Sequence, residues 1–381
     1  MRKVLAVTGY RSDYTKLKTV LREIEKCPDL ELEVVSFGAH ALGDYGNTID
    51  MVMEDNHTLI ANLLTTVEGN STFAMSKSIG LSVIELSSIL AMSKPDIVLL
   101  CADRYETMAA AIAVSVNNIP IAHIQGGELS GTIDEVLRHS ITKLSHIHFP
   151  STELSKKRII QMGENPEFVY NVGCPAIDYI KTNNYLSKEE MKEDPFFTSL
   201  GLDLDKEYIL LLQHPVTTAP EDFNETLEAV QEIGVQALMI YPNPDAGCDN
   251  IVQAERNFSK KYGSDSVIVG KYKNIEFDKY LNLLKYSRAL VGNSSSGIRE
   301  AYAFNVPVIN IGTRQQNRER SNNVIDAPCE RVEIKKAYDK HIFFNGVEDN
   351  LYGDGRASQR ISKILTEVNL AGSLEKLFCE V

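Results

Sequence analysis

Short apolar runs alternate along the first half of the chain with longer stretches whose apolar residues recur every three or four positions. This is the pattern of strands and helices wound as βαβ units on a parallel sheet. Lys3–Thr8 predicts a buried strand, and Ser12 and Asp13 are suitable N-caps for a helix with Tyr14, Leu17, Val20, Leu21 and Ile24 on one face. Leu30–Phe37 predicts a second strand. Leu81–Met92 is apolar-rich and ends near Pro95; Asp96–Cys101 is the next buried strand, Tyr105–Val116 a helix and Pro120–Ile124 a strand. Thr132–Leu144 predicts a helix, His146–Phe149 a short strand and Ser151–Met162 a capped helix. These strands and the helices between them, over about 170 residues, make a complete doubly wound domain.

The pattern restarts after Asn183–Asp205, which is polar, charged and interrupted by Pro195, as a connector would be. Tyr208–Leu212, Ala237–Tyr241, Ser266–Val269, Ala289–Val291 and Pro307–Ile311 predict strands with helices between them, a second Rossmann-like domain. Arg356–Phe378 is amphipathic and helical. The expected fold is α/β: two Rossmann-like domains facing across a cleft, over 1–178 and 179–355, with a helical segment at 356–381 packing back across the domains. Domains of this kind bind ligands at the carboxyl ends of their strands. The residues directly after each strand therefore carry the functional information.

Composition narrows the partners. The 381 residues hold 39 Lys+Arg against 52 Asp+Glu, a formal charge of −13. Nucleic acid and anionic membranes require a net basic face, so neither is expected as a partner. An anionic ligand must then be held by a local cluster of cations. No apolar run approaches the roughly 18–20 residues of a bilayer span, and the start of the chain is too short in apolar residues for a signal peptide. Six scattered cysteines form no C-x-x-C pair, so neither a disulfide framework nor a thiolate metal site is suggested. A cytoplasmic location with reduced thiols follows as the expectation.

Polar residues cluster after the strands. Thr8-Gly9-Tyr10-Arg11-Ser12-Asp13 is not a dinucleotide fingerprint, because Tyr10 and Arg11 fill the space that glycines would leave for a pyrophosphate. Arg11 at a helix mouth suits a phosphate or a sugar, or is simply a solvated loop residue. Asp103-Arg104 follows a strand, where the carboxylate suits acid/base work and, equally, helix capping with Arg104 in a surface ion pair. His123-Ile-Gln125-Gly126-Gly127-Glu128 leads into a helix with Asp134, Glu135, Arg138 and His139, offering several carboxylates for proton transfer. Asp134 and Arg138 also form an i, i+4 pair. A metal set from His123, Asp134, His139, His146 and His148 matches no known ligand spacing, and no metal is expected. In the second half, His214 ends a strand before Pro215, poised to assist a leaving phosphate or to serve as a core histidine. Gly292-Asn-Ser294-Ser295-Ser296-Gly297-Ile-Arg299-Glu300 runs strand, small-residue turn, helix, a seat for a diphosphate with Glu300 placed for a ribose diol. Arg314 follows the next strand.

Taken in order, Arg11-Ser-Asp13-Tyr14, Asp103-Arg104, His123-Ile-x-Gly126-Gly127-Glu128-x-Ser-Gly131-Thr-Ile-Asp134, Gln213-His214-Pro215-Val-Thr-Thr218, Pro242-Asn243-x-Asp245-Ala-Gly247, Gly292-Asn-Ser-Ser295-x-Gly297-x-Arg-Glu300 and Gly312-Thr-Arg314 resemble the hydrolysing UDP-N-acetylglucosamine 2-epimerases. These are the bacterial sialic-acid-pathway enzymes and the epimerase half of the animal epimerase/N-acetylmannosamine kinase. The resemblance spans about residues 3–370, and no kinase domain follows. It implies a glycosyltransferase-B-like fold and elimination of UDP to a 2-acetamidoglycal, then hydration with inverted C2. No cofactor is implied, and a homo-oligomer, dimer or tetramer, is expected. It also implies UDP-sugar binding by Arg11, Arg104, His214, Ser294, Ser295, Ser296, Gly297, Glu300 and Arg314, and catalysis by Asp103, Asp134, Glu128, Gln125 and His214. Gln125 departs from the pattern, since many members carry a glutamate there and an amide cannot take a proton. The departure leaves the sugar open, with UDP-2,4-diacetamido-2,4,6-trideoxyglucose of the legionaminic-acid pathway as the alternative substrate. The animal enzyme's inhibitor-binding arginines correspond here to Gln253 and Arg256, so weak feedback is expected. A nucleotide-sugar glycosyltransferase shares fold and diphosphate seat, and a non-enzymatic UDP-sugar sensor would bind without turnover.

Overall fold

The computed structural model describes every residue except 42–47, 70, 217–220, 243–246, 348, 371–374 and 381. Thr218, Asn243 and Asp245 of the sequence motifs lie outside the described residues. In chain order the first part holds β1 (Arg2–Thr8), α1 (Arg11–Glu25), β2 (Leu30–Ser36), α2 (Ile49–Glu54), β3 (Leu59–Asn62), α3 (Thr72–Ser93) and β4 (Ile97–Cys101). Then come α4 (Tyr105–Val116), β5 (Ile121–Ile124), α5 (Ile133–Leu144), β6 (Ile147–Phe149), α6 (Glu153–Gln161) and α7 (Pro175–Thr182). After these follow α8 (Lys188–Glu193), α9 (Pro195–Thr198), β7 (Tyr208–Leu212), α10 (Phe223–Ile233), β8 (Gln236–Ile240), α11 (Cys248–Tyr262), β9 (Ile268–Tyr272) and α12 (Phe277–Tyr286). The chain closes with β10 (Ala289–Gly292), α13 (Ser295–Ile298), α14 (Glu300–Ala303), β11 (Val308–Ile311), β12 (Val324–Ala327), α15 (Arg331–His341) and α16 (Ala357–Glu367).

The chain divides into two compact units. The first comprises Met1–Glu128, Ile133–Thr182 and Asn350–Val381, the second Leu129–Thr132 and Asn183–Asp349. Each carries one six-stranded parallel sheet, in the orders β3-β2-β1-β4-β5-β6 and β12-β11-β10-β7-β8-β9. Counted within its own unit, each sheet has the same order, 3-2-1-4-5-6. The order reverses between β1 and β4 in one and between β7 and β10 in the other, which is where a doubly wound sheet opens a crevice. The fold is therefore α/β, as the sequence pattern predicts.

The central strands are apolar throughout because both faces are covered by helices. Val4, Ala6, Leu99 and Ile124 pack under Leu17, Leu21 and Ile24 of α1 in unit 1. Ile209, Leu211, Val291 and Ile309 do the same under α10 and α15 in unit 2. α16 belongs to unit 1: Ile361 and Leu365 enter its core, and Asp178 of α7 accepts from the Ala357 and Ser358 N–H groups at 3.0 and 2.6 Å, capping it.

Several local expectations change. Asp13 is not an N-cap; α1 starts at Arg11, and the buried Asp13 carboxylate reaches back to the Gly9 and Tyr10 N–H groups, both at 3.0 Å. The supposed connector contains α8 and α9, because Ser187 with Glu190 forms a capping box and Asp194 caps the Pro195 turn. α3 runs 22 residues at a hydropathy of 1.3, long and apolar enough by length and composition to cross a membrane, where the sequence showed only a shorter apolar run. In unit 2, Gly131 donates its N–H to the Arg314 carbonyl at 3.0 Å, and a Cβ there would fall 1.8 Å from the Thr313 carbonyl oxygen.

Candidate active site

At the carboxyl ends of β4 and β5 the backbone of unit 1 leaves ordinary geometry. Ala102 has φ +66° and Gln125 φ +65°, left-handed values that cost a non-glycine residue on the order of 1–3 kcal/mol. Both stay tied to the sheet, with Ala102 N–H donating to the Ile124 carbonyl and Gln125 N–H to the Phe149 carbonyl, each at 3.0 Å. Beneath them lies His123, fully buried between the Ala102 carbonyl oxygen, 2.8 Å from Nε2, and the Thr142 hydroxyl, 3.3 Å from Nδ1.

Arg138 on α5 is the charge centre of this unit. It is 1% exposed, bonds the Asp103 carboxylate, and donates to the Glu128 carbonyl at 2.7 Å. Burial opposes its charge, but Asp103, Glu128 and Asp134 outweigh that and hold its pKa above the usual value. The carboxylates Asp103, Glu128 and Asp134 are thus grouped around one cation. Arg104 instead lies back along its own strand end. It makes a two-pronged pair with the buried Glu106, at 2.9 and 3.2 Å, and stacks 4.6 Å over the Tyr10 ring. Arg11 opens α1 on the neighbouring strand end, β1. Asp13 holds the same loop together, its carboxyl pushed up by burial. Gln125 is 1% exposed and donates from Nε2 to the Cys174 sulfur at 3.2 Å; its carbonyl oxygen is buried with no protein partner among the described residues.

Unit 2 builds its strand ends mainly from backbone, amide and hydroxyl groups, with Arg314 and Glu300 among them. Gly292 has φ +136°, and a Cβ there would fall 1.9 Å from the Leu212 carbonyl oxygen, so only glycine lets β10 approach β7 this closely. The next residue, Asn293, is fully buried and clamps the loop after β7: its Oδ1 accepts from the His214 N–H at 2.7 Å and its Nδ2 donates to the His214 carbonyl at 2.9 Å. The Asn293 carbonyl in turn accepts from Arg314 at 3.1 Å and Gln315 at 2.9 Å. Ser294 caps the single-turn α13 through the Ser296 N–H at 3.3 Å, and the Ser296 hydroxyl meets the Tyr280 hydroxyl. The helix expected after Ser296 is split into α13 and α14 around Arg299, consistent with the poor helix propensity of serine and glycine. Glu300 begins α14, is 7% exposed, and has one carboxylate oxygen with no protein partner among the described residues.

Residues 22–366 match the model of the UDP-N-acetylglucosamine 2-epimerase family. The chain belongs to this family. It is 35% identical over 97% of both chains to the hydrolysing UDP-N,N'-diacetylbacillosamine 2-epimerase of Legionella pneumophila. It is also 35% identical, over 96% of this chain and 95% of the relative, to the UDP-N-acetylglucosamine 2-epimerase of Neisseria meningitidis. The fold matches the Methanocaldococcus jannaschii UDP-GlcNAc 2-epimerase, solved with UDP-GlcNAc and UDP, at TM-score 0.81 and 21% identity over 96% of this chain and 100% of that one. A glycosyltransferase-B-like fold and an epimerase family are therefore established.

Within this epimerase-family chain, Asp103, Glu128 and Asp134 fall together in unit 1, and His214, Ser294–Gly297, Glu300 and Arg314 fall on the ends of β7, β10 and β11 in unit 2. Sequence reasoning gave Asn293 no role although it quoted the motif around it. It weighed His123 only as a metal ligand and Arg138 only as the partner of Asp134. Two further histidines of that metal set are engaged elsewhere: His148 bonds Glu164 at 3.0 Å, and His146 accepts from the Ile121 N–H at 3.1 Å. Tyr280 carried no sequence signal.

Proposed function

We propose that the protein is a hydrolysing UDP-sugar 2-epimerase converting UDP-N-acetylglucosamine and water to N-acetylmannosamine and UDP. The observation that carries this reading is the grouping of Asp103, Glu128 and Asp134 around the buried Arg138 at adjacent strand ends. A carboxylate takes the C2 proton, the electron pair forms the C1–C2 double bond, and the C1–O bond breaks as UDP leaves. Water then adds its hydroxyl to C1 and a proton returns to C2 from the opposite face, giving the manno sugar. Ser294, Ser295, Ser296 and Gly297 supply hydroxyl and N–H donors for the diphosphate, Arg314 and His214 flank it, and Glu300 receives the ribose diol. Arg11 and Arg104, at the strand ends of unit 1, are the further UDP-sugar-binding residues of this reading. Gln125 contributes shape and hydrogen bonding, because an amide accepts no proton.

A second substrate is favoured by a specific observation. Gln125 replaces the family's acid, and the Legionella and Campylobacter jejuni relatives are named for UDP-diacetylbacillosamine. Incubation with UDP-N-acetylglucosamine and with UDP-2,4-diacetamido-2,4,6-trideoxyglucose in deuterated water, read by NMR, tests the reading. UDP release without acceptor and one deuterium at C2 are expected from at least one donor. No release from either, or a product lacking C2 deuterium, overturns it, and the preferred donor names the sugar. The chain is placed in the cytoplasm, where such nucleotide sugars are made. A homo-oligomer, dimer or tetramer, belongs to this reading.

A further inference from the structure

We infer that His123 is a positioning residue for proton transfer: its Nε2–H holds the Ala102 carbonyl and thereby keeps Ala102 left-handed and the Asp103 carboxylate aimed at its task. The inference rests on the reading of Asp103 as an acid/base group. The Ala102 carbonyl can only accept, so the imidazole must carry its proton on Nε2, 2.8 Å away. That leaves Nδ1 bare, and the Thr142 hydroxyl, 3.3 Å away, donates to it. Thr142 is fully buried on α5, so the ring is fixed from both sides and cannot turn. Burial drives the pKa of His123 down to about 3, which keeps the ring neutral and the tautomer single across the working range of an enzyme.

The histidine reaches the carboxylate through one residue. Ala102 takes φ +66°, a conformation alanine does not favour, immediately before Asp103. Its N–H is held by the Ile124 carbonyl and its carbonyl by His123, so both ends of the residue are pinned. Arg138 then fixes the far end of the Asp103 side chain. Without the His123 donor the residue is free to relax to right-handed or extended backbone, which swings the Asp103 Cα–Cβ bond off its direction. A misplacement of about 1 Å in a reacting group costs about 10²-fold in rate.

The test is a mutant cycle on the full chain. His123→Phe is expected to lower kcat about 10²-fold with KM little changed, since donor binding is assigned to unit 2. His123→Gln, whose amide N–H can still donate to the Ala102 carbonyl, is expected to recover most of that loss. In an Asp103→Asn background, His123→Phe is expected to cost less than about twofold more, because both act through one group. Equal losses from His123→Phe and His123→Gln, or an undiminished loss in the Asp103→Asn background, overturn the inference. If His123→Phe fails to fold by circular dichroism, His123→Asn, one methylene too short to reach, takes its place with the same expectation. The two readings fail separately: an Asp103→Asn enzyme with full turnover removes the acid/base role, whereas an inactive Asp103→Asn beside a fully active His123→Phe removes the positioning role alone.

Discussion

The two units share one strand order and one switch point, yet they equip it with opposite chemistry. Unit 1 fills its strand ends with buried ion pairs, Asp103 with Arg138 and Arg104 with Glu106. Unit 2 fills the equivalent place mainly with neutral groups, the Asn293 amide on His214, Gln315 on the Asn293 carbonyl and Ser294 on a backbone N–H, with Arg314 and Glu300 the charged groups beside them. The difference matches two tasks. Moving a proton needs carboxylates whose proton affinity is set by nearby charge. Holding a diphosphate needs N–H and hydroxyl dipoles, and carboxylates crowded against the phosphates would repel it. A fold thus fixes where chemistry happens and the loops decide which kind.

If this division is right, the largest effect comes from unit 1 with unit 2 untouched. Asp134→Asn is expected to lower turnover about 10²–10⁴-fold while UDP affinity by calorimetry stays at the wild-type value; a parallel loss of UDP binding would break the division. Arg138→Met is expected to cost about 3–5 kcal/mol of stability in urea, because it strands Asp103 without its buried partner. On the other side, Asn293→Ala is expected to weaken UDP binding and to cost about 1–3 kcal/mol by leaving the His214 backbone groups unpaired, with solvent deuterium exchange chemistry otherwise intact. Tyr280→Phe, which removes only the hydroxyl partner of Ser296, is expected to cost about 1 kcal/mol of UDP affinity.

Acid separates the units as well. Unit 2 holds His214 and His341, and the other six of the chain's 8 histidines lie in unit 1. There burial lowers His40 to about 4, His123 to about 3 and His146 to about 4, and lowers His139 and His148 too. Such a histidine binds its proton in the unfolded chain before it does in the folded one. Its contribution is complete above about pH 6.5 and is lost as the pH falls toward 3. Glu164 acts in the same direction: burial alone would raise it, but His148, Lys143 and Lys376 hold it at about 2, so stability present above about pH 4.5 is lost below that. Hydrogen exchange at pH 5 against pH 7.5 is expected to show unit 1 losing protection first; simultaneous loss in both units would contradict it.

The sequence displayed the central strands and the edge strands β6 and β9, and hid the opposite edges, β3 and β12. β4 and β7 are unbroken apolar runs, and Val4–Val7 makes one within β1, because helices cover both faces. β3 and β12 are only four residues long and largely half-buried or exposed, too short for a strand pattern to show. The same physics governs the site. Asp103, Asp134, Glu300 and Arg314 could be read because polar residues after apolar strands are conspicuous. The service of His123 to a backbone carbonyl has no sequence signature, since it depends on the sign of one dihedral angle at Ala102. Arg138 was visible only through its helical spacing to Asp134, while its bond to Asp103 crosses 35 positions of chain.

One amide carries a chemical liability. Asn293 presents an acceptor to the N–H and a donor to the carbonyl of one residue, His214, and no other side chain of that length does both. Conversion to aspartate by slow hydrolysis would exchange an NH2 for an oxygen, with almost no change of volume. The new oxygen would confront the His214 carbonyl with like charge where there had been a hydrogen bond. Ageing at this one position would turn the clamp into a wedge, leaving a protein of the right mass to within one unit whose loops after β7 and β10 no longer close on each other.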